Sequence, residues 1–237
     1  MKNKAQSLSL TKSILTGVAI GVLASGLPLL FSSKNELSND SKTVVTPAVP
    51  ASSQESFKPI ESKTKEIKTL TLNKNRTILI QEIITDKSER FADQILELGD
   101  DKEPIVLLID SPGGSVFSGE KIVSAMESVN SEIYTVCVGM CASMAAIIHQ
   151  YGTKRLATDR SVLMFHDAAG MVGGRVSEML SVLSMIKRKI DKSNHYIANR
   201  SKMSYDELVR LESNNFWIDA EDSLEKGLVD GLVRIKR

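Results

Sequence analysis

The sequence predicts an α/β fold in which a mostly parallel sheet carries flanking helices, and three observations lead there. Apolar runs of strand length recur, with "PIVLLID" (104–110) and "EIYTVCVG" (132–139) the clearest. A turn of small residues, "SPGGSV", follows the first, and Ser143 opens a helix after the second. Stretches with helical period come next, so strand and helix alternate, the pattern of a parallel sheet with right-handed crossovers. An unbroken apolar run, unlike an alternating one, marks a strand covered on both faces.

The folded part begins near Lys68. "RTILIQEI" (76–83) is short, apolar and β-branched, hence a strand. "SERFADQILEL" (88–98) places Phe91, Ile95 and Leu98 at helical spacing. "SGEKIVSAMESV" (118–129) reads as the helix after the diglycine turn, and Ser143 opens the helix after the second buried strand. "RSVLMFH" (160–166) is strand-like and ends on His166. In "SEMLSVLSMIKRKIDKSNHYI" (177–197), Met179, Leu183, Ile186, Ile190 and Ile197 recur at intervals of four, three, four and seven, one face of a long helix.

Composition narrows the function. The 237 residues make room for one sizeable domain plus a tail. Thirty basic against 29 acidic residues leave no field to attract nucleic acid. Cys137 and Cys141 are too few for a disulfide framework and lack the companions of a zinc site; both read as small buried hydrophobes. No Gly-rich loop ending in Gly-Lys-Ser/Thr marks a nucleotide site, and no cofactor or metal is expected.

The N-terminus has a different character. Lys2, Lys4 and Lys12 precede an uncharged run over 14–31, which is either an export signal or a membrane anchor. Its length fits a bilayer span of ~17–25 residues. No small-x-small cleavage site closes it, which favours an anchor with the rest of the chain outside the cytoplasm. Residues 32–67 are rich in Ser, Lys, Thr and Pro and read as a flexible tether, with Pro47 and Pro50 stiffening it locally. Residues 68–237 then form the domain.

Ser143 and His166 carry the chemistry. Ser143 stands where a strand gives way to a helix, where backbone N–H groups lack intrahelical partners and can donate to an oxyanion. The "SPGG" turn offers the same at another strand end, since Gly113 and Gly114 allow close backbone approach. Ligands of open α/β sheets bind at that edge. Three histidines exist, His149, His166 and His195. His149 lies six residues into the helix that Ser143 opens and faces elsewhere, while His195 falls in a long helix. His166 can reach the edge. The plainer alternatives are a structural histidine and a serine that merely caps a helix.

Together, "LLIDSPGGSV", "VGMCASMAAII" and "VLMFHDAAG" resemble the three landmark segments of the Clp protease proteolytic subunit family, in order and at similar spacing. The similarity runs from about Arg76 through "KGLVDGL" (226–232). It implies a Clp/crotonase-like sheet with a protruding handle helix over 177–197. Under the resemblance Ser143 is the nucleophile and His166 the general base, with the N–H groups of Gly114 and Met144 as oxyanion hole. The implied substrate is a peptide or unfolded chain, and the implied assembly a homo-oligomeric ring, single or as two stacked heptamers.

Two departures stand out. Aligning Trp217 with the family's aromatic puts Asn215 where an aspartate completes the triad. An asparagine can accept the imidazole N–H but offers the imidazolium no negative charge, and the Asp→Asn change in another protease costs up to ~10⁴ in rate. Asp167 and Asp219 are possible substitutes outside the motif. The second departure is the N-terminal segment, which stands where the family engages a cytosolic ATPase unfoldase; that partner is therefore not carried over. A non-catalytic scaffold and an acyl-CoA enzyme of the related superfamily are the competing readings.

Overall fold

A computed structural model describes residues 66–236. Eight strands, β1 (Ile67–Thr71), β2 (Thr77–Ile80), β3 (Ile105–Ser111), β4 (Ile133–Ala142), β5 (Lys154–Ala157), β6 (Val162–Phe165), β7 (Phe216–Asp219) and β8 (Gly231–Lys236), form one sheet. Its order is β1-β8-β5-β4-β3-β2, with β6 pairing β4 and β7. Only β6 and β7 run antiparallel, so the mostly parallel α/β fold is as the sequence predicts. Six α-helices accompany it: α1 (Arg90–Leu98), α2 (Val116–Ser128), α3 (Met144–Gln150), α4 (Val176–Asn199), α5 (Tyr205–Glu212) and α6 (Ala220–Glu225).

The β3 strand shows why its apolar run is unbroken. Ile105, Leu107 and Ile109 join the main core, which also takes Phe91 and Ile95 of α1 and Ile122 and Met126 of α2. Val106 and Leu108 enter a smaller cluster with Val136, Leu156 and Val233. Successive side chains alternate across the sheet, and both faces are covered. Cys137 and Cys141 are fully buried free thiols, as expected of small hydrophobes.

The ten-residue β4 does more than span the sheet. Its first half pairs with β5 through Tyr134–Cys137, whereas Met140–Ala142 pair with β6. A register shift against β3, between Ile109 and Ser111, accompanies this change of partner. The strand thus leaves β5 and ends beside β6, with Ala142 opposite Met164. This switch is what brings the residue after β4 next to the residue after β6.

Several elements escape the sequence patterns. Short β5 and β7 offer too few residues for a period, and β1 sets only Ile67 and Leu70 among Lys68, Thr69 and Thr71. The long helix is longer than its apolar stripe suggests, and only Ser193, Asn194 and Ile197 of α4 are buried. Leu183 of the stripe and Leu180 beside it are more than half exposed, whereas Ile197 joins the main core. Among the described residues no helix is long and apolar enough to cross a membrane. The lysine-flanked run over 14–31 and nearly all of the expected tether lie outside the described residues.

Candidate active site

Ser143 occupies the one-residue joint between β4 and α3. Its backbone sits at φ 54°, ψ −126°, a region that a non-glycine residue enters at a cost of about 1–3 kcal/mol. Three contacts hold it there: Ser143 N–H donates to Met164 O at 2.8 Å, Ile147 N–H donates to Ser143 O at 3.1 Å, and β6 pairs the preceding Ala142. A sharp, strained strand-to-helix turn is how other hydrolases lift a nucleophilic serine clear of a sheet. The hydroxyl makes no cap to its own helix. Instead Ser143 Oγ lies 2.7 Å from His166 Nε2, and both residues are half-buried. The serine is therefore not a side-chain cap of its helix, and its hydroxyl and the His166 imidazole are hydrogen-bond partners.

The diglycine turn closes the other side. Gly113 and Gly114 have φ 90° and 145°, open to glycine alone at little cost. A Cβ on Gly113 would stand 2.5 Å from Ala142 O and 2.8 Å from both Met144 N and Ser143 Cβ. The turn is thus pressed against the serine joint at a distance no side chain permits. It is pinned from outside by Ile84, whose N–H donates to Gly113 O at 2.7 Å and whose carbonyl accepts from Ser115 N–H at 2.8 Å. Ser111 Oγ adds a bond from Gly113 N–H at 3.1 Å. Met144 is the first residue of α3, where an N–H has no intrahelical acceptor.

Asn215 is placed differently from the expectation. It lies exposed in the turn between α5 and β7, at φ 54°, with its backbone N–H donating to Glu212 O at 3.1 Å. Among the described residues no hydrogen bond joins its side chain to His166. The left-handed conformation, which asparagine tolerates better than other side chains, explains the residue type at this turn. Neither substitute fills the gap. Asp167 Oδ1 accepts from Ala168 N–H at 2.8 Å, and Asp219 caps α6 by accepting from Asp222 N–H at 2.8 Å. His149 is fully buried and His195 is exposed, stacked on Tyr205, so His166 is the histidine that meets the serine.

A cavity of about 50 Å³ opens beside Ser143 and His166. Its walls include Val116, Met144, Ile147 and Phe165, and at its polar part Asn194 and Glu212. Asn194 Nδ2 donates to Glu212 Oε2 at 2.6 Å. Burial pushes the Glu212 carboxyl up to about 7, opposed by the Asn194 bond and aided by the charge of Asp167. Sequence reasoning missed both residues, although one signal existed. The seven-residue interval from Ile190 to Ile197 skips position 194, where the stripe continues with a polar residue. Glu212, four after the buried Leu208, is the same anomaly on α5.

A strained serine at a strand–helix joint, a histidine on its hydroxyl and a glycine turn beside its carbonyl side define a serine hydrolase of the α/β class. The Clp protease family profile matches residues 60–236. Relatives include the ATP-dependent Clp protease proteolytic subunit 1 of Shouchella clausii (strain KSM-K16), 31% identical over 169 residues, covering 69% of this chain and 88% of that protein. Another is the ATP-dependent Clp protease proteolytic subunit 3 of Synechococcus sp. (strain CC9902), 33% identical over 141 residues, covering 58% of this chain and 70% of its own. The ATP-dependent Clp protease proteolytic subunit 2 of Bifidobacterium longum (strain NCC 2705) is 31% identical over 167 residues, 68% of this chain and 81% of that one. The chain belongs to the Clp protease family, whose members are serine-type endopeptidases.

Proposed function

We propose that the domain hydrolyses peptides or unfolded chains through an acyl-enzyme on Ser143, with His166 as general base and then general acid. The 2.7 Å contact between Ser143 Oγ and His166 Nε2 carries this reading. Ser143 Oγ attacks the scissile carbonyl carbon while its proton passes to Nε2, which requires the tautomer with hydrogen on Nδ1. The N–H groups of Gly114 and Met144 receive the oxyanion that forms. Collapse breaks the C–N bond as His166 returns the proton to the leaving amine. Water then attacks the ester carbon and gives a proton to His166; the acyl C–Oγ bond breaks, His166 returns that proton to Ser143 Oγ, and the acid leaves. Cleavage of a fluorogenic peptide by the parent but not by Ser143→Ala supports the reading; equal rates in both would overturn it.

Asn215 enters as the residue at the third position of the motif, working here without a bond to His166. Its neutrality and its exposure favour a second reading, a ring scaffold that has given up catalysis. A folded protein that cleaves nothing and takes no covalent probe at Ser143 selects that alternative.

The anchor and the assembly belong to the same proposal. The lysine-flanked run over 14–31 tethers the domain by way of residues 32–67, with the domain outside the cytoplasm and hence away from ATP and a cytosolic unfoldase. Digestion of the domain by protease added to spheroplasts is expected, and protection would defeat the topology. The exposed Leu180 and Leu183 on α4 support a handle that mates protomers into one ring or two stacked heptamers. Sedimentation of the full chain in detergent is expected to show oligomers, and a monomer at every micromolar concentration would defeat the assembly.

A further inference from the structure

We infer that the cavity beside Ser143 selects substrates whose residue on the acyl side of the scissile bond ends in hydrogen-bond donors, an amide or an ammonium, and that Asn194 and Glu212 are the residues that select it. The inference rests on the peptidase reading and adds its substrate class.

Two observations carry it. First, the cavity touches both the nucleophile and the base, so the side chain next to the attacked carbonyl has this space beside it. Second, Asn194 is only 2% exposed and its Oδ1 has no hydrogen-bond partner. A buried amide oxygen left unpaired costs about 1–3 kcal/mol, so this one calls for a donor from the cavity it lines, a water in the free protein or a substrate group in its place. The amide nitrogen is already committed to Glu212 Oε2. Exchanging the amide's oxygen and nitrogen against an ionised Glu212 would set two acceptors face to face. The pair therefore offers acceptors: the free Asn194 carbonyl and the remaining capacity of the carboxylate.

The surrounding charge favours the same ligand. Of the lysines and carboxylates along the cavity, Lys189 and Glu120 are bound to each other at 2.6 Å, which leaves Glu212. Asp167 adds negative potential at Glu212. The lining combines apolar Val116, Ile147 and Phe165 with the acceptors of Asn194 and Glu212, as in pockets that join apolar walls to a few placed polar groups. An aliphatic side chain of equal length would bury against Asn194 Oδ1 without satisfying it, and sites built to hydrogen-bond a substrate reject such analogues strongly.

The test uses the full-length Ser143→Ala protein at pH 8, where Glu212 is ionised, and four peptides differing only at the residue before the scissile bond: Lys, Gln, Met or Leu. The Lys and Gln peptides are expected to bind at least about tenfold more tightly than the Met peptide. Adding Asn194→Leu erases the preference for both. Adding Glu212→Gln, which preserves shape, removes the preference for Lys and leaves much of that for Gln, and it remains informative if the leucine variant does not fold. Equal or tighter binding of Met or Leu overturns the inference. The parent's turnover of the same peptides separates the two readings: no cleavage with intact discrimination sinks the peptidase and keeps the pocket, while cleavage indifferent to the residue sinks the pocket alone.

Discussion

Two histidines only 17 positions apart in the chain lie in regions that solve opposite problems. His149, on α3, is fully buried, and burial drives its pKa down to about 4. Its Nε2–H donates to Leu156 O at 2.9 Å, and its Nδ1 accepts from Gln150 Nε2 at 3.1 Å. Gln150 in turn accepts from Arg155 Nη1 and donates to Leu228 O, while Arg155 meets Asp230 through two nitrogens. Each member of that cluster is paired, and nothing is left over for a ligand. His166 is half-buried, bonded to a strained serine, and beside a cavity where an amide oxygen stands unpaired. A saturated polar cluster fastens α3 to the sheet and to the turn before β8; an unsaturated one at the sheet edge is equipped to meet a substrate.

The sharpest way to break this contrast is to remove the groups in turn. Ser143→Ala is expected to abolish peptide turnover with the melting temperature within a few degrees of the parent, and residual turnover above about one part in a thousand would place the nucleophile elsewhere. Exchanging the fates of the histidines comes next. His166→Ala should lose activity almost as completely while folding normally, whereas His149→Ala should lose stability by about 2–4 kcal/mol in urea unfolding, because it creates a cavity and orphans Gln150. Identical behaviour of the two variants would erase the distinction. Arg155→Ala, which strips partners from Gln150 and Asp230, should destabilise by a similar ~2–4 kcal/mol.

How far this contrast could be read from the sequence depends on what each group contacts. The alternation of buried runs and helices, the serine at a strand–helix joint and the histidine at a strand end all have local signatures, so the fold class and the placement of Ser143 and His166 at one sheet edge were legible. Asn215 was legible only as an aligned position. Its exposed, left-handed turn depends on how α5 approaches β7, and no local pattern encodes that. The placement of His149 away from the serine followed from helical geometry, but its saturation depends on Arg155, Leu156 and Leu228, brought together by β5 and the turn before β8. Asn194 and Glu212 left a trace, polar residues at positions where an apolar stripe should continue, which becomes meaningful only once α4 and α5 are seen to meet.

Smaller effects sharpen the comparison. Asn215→Asp is expected to raise kcat by less than about tenfold, because an exposed carboxylate without a bond to His166 stabilises the imidazolium only through a screened field. A gain of several powers of ten would show that the turn closes on His166 during catalysis. The other effect lies in the pH dependence of stability. Glu212 has its pKa raised from 4.5 to about 7, so the folded state holds a proton that the unfolded chain releases, and stability is lost as pH rises through about 7. His149 is lowered from 6.5 to about 4, so its contribution is lost as pH falls from 6.5 through about 4. The two slopes oppose each other where they overlap. Glu212→Gln should remove the loss on the alkaline side and leave the acid-side loss intact, a change visible in melting temperatures between pH 4 and 8.

The central claim, that Ser143 is a nucleophile activated by His166, is tested most directly by a fluorophosphonate probe followed by mass spectrometry of the labelled peptide. One adduct per chain on Ser143 is expected, absent in Ser143→Ala and at least about a hundredfold slower to form in His166→Ala. A folded parent protein that stays unlabelled, or labels at the same rate without His166, would contradict it.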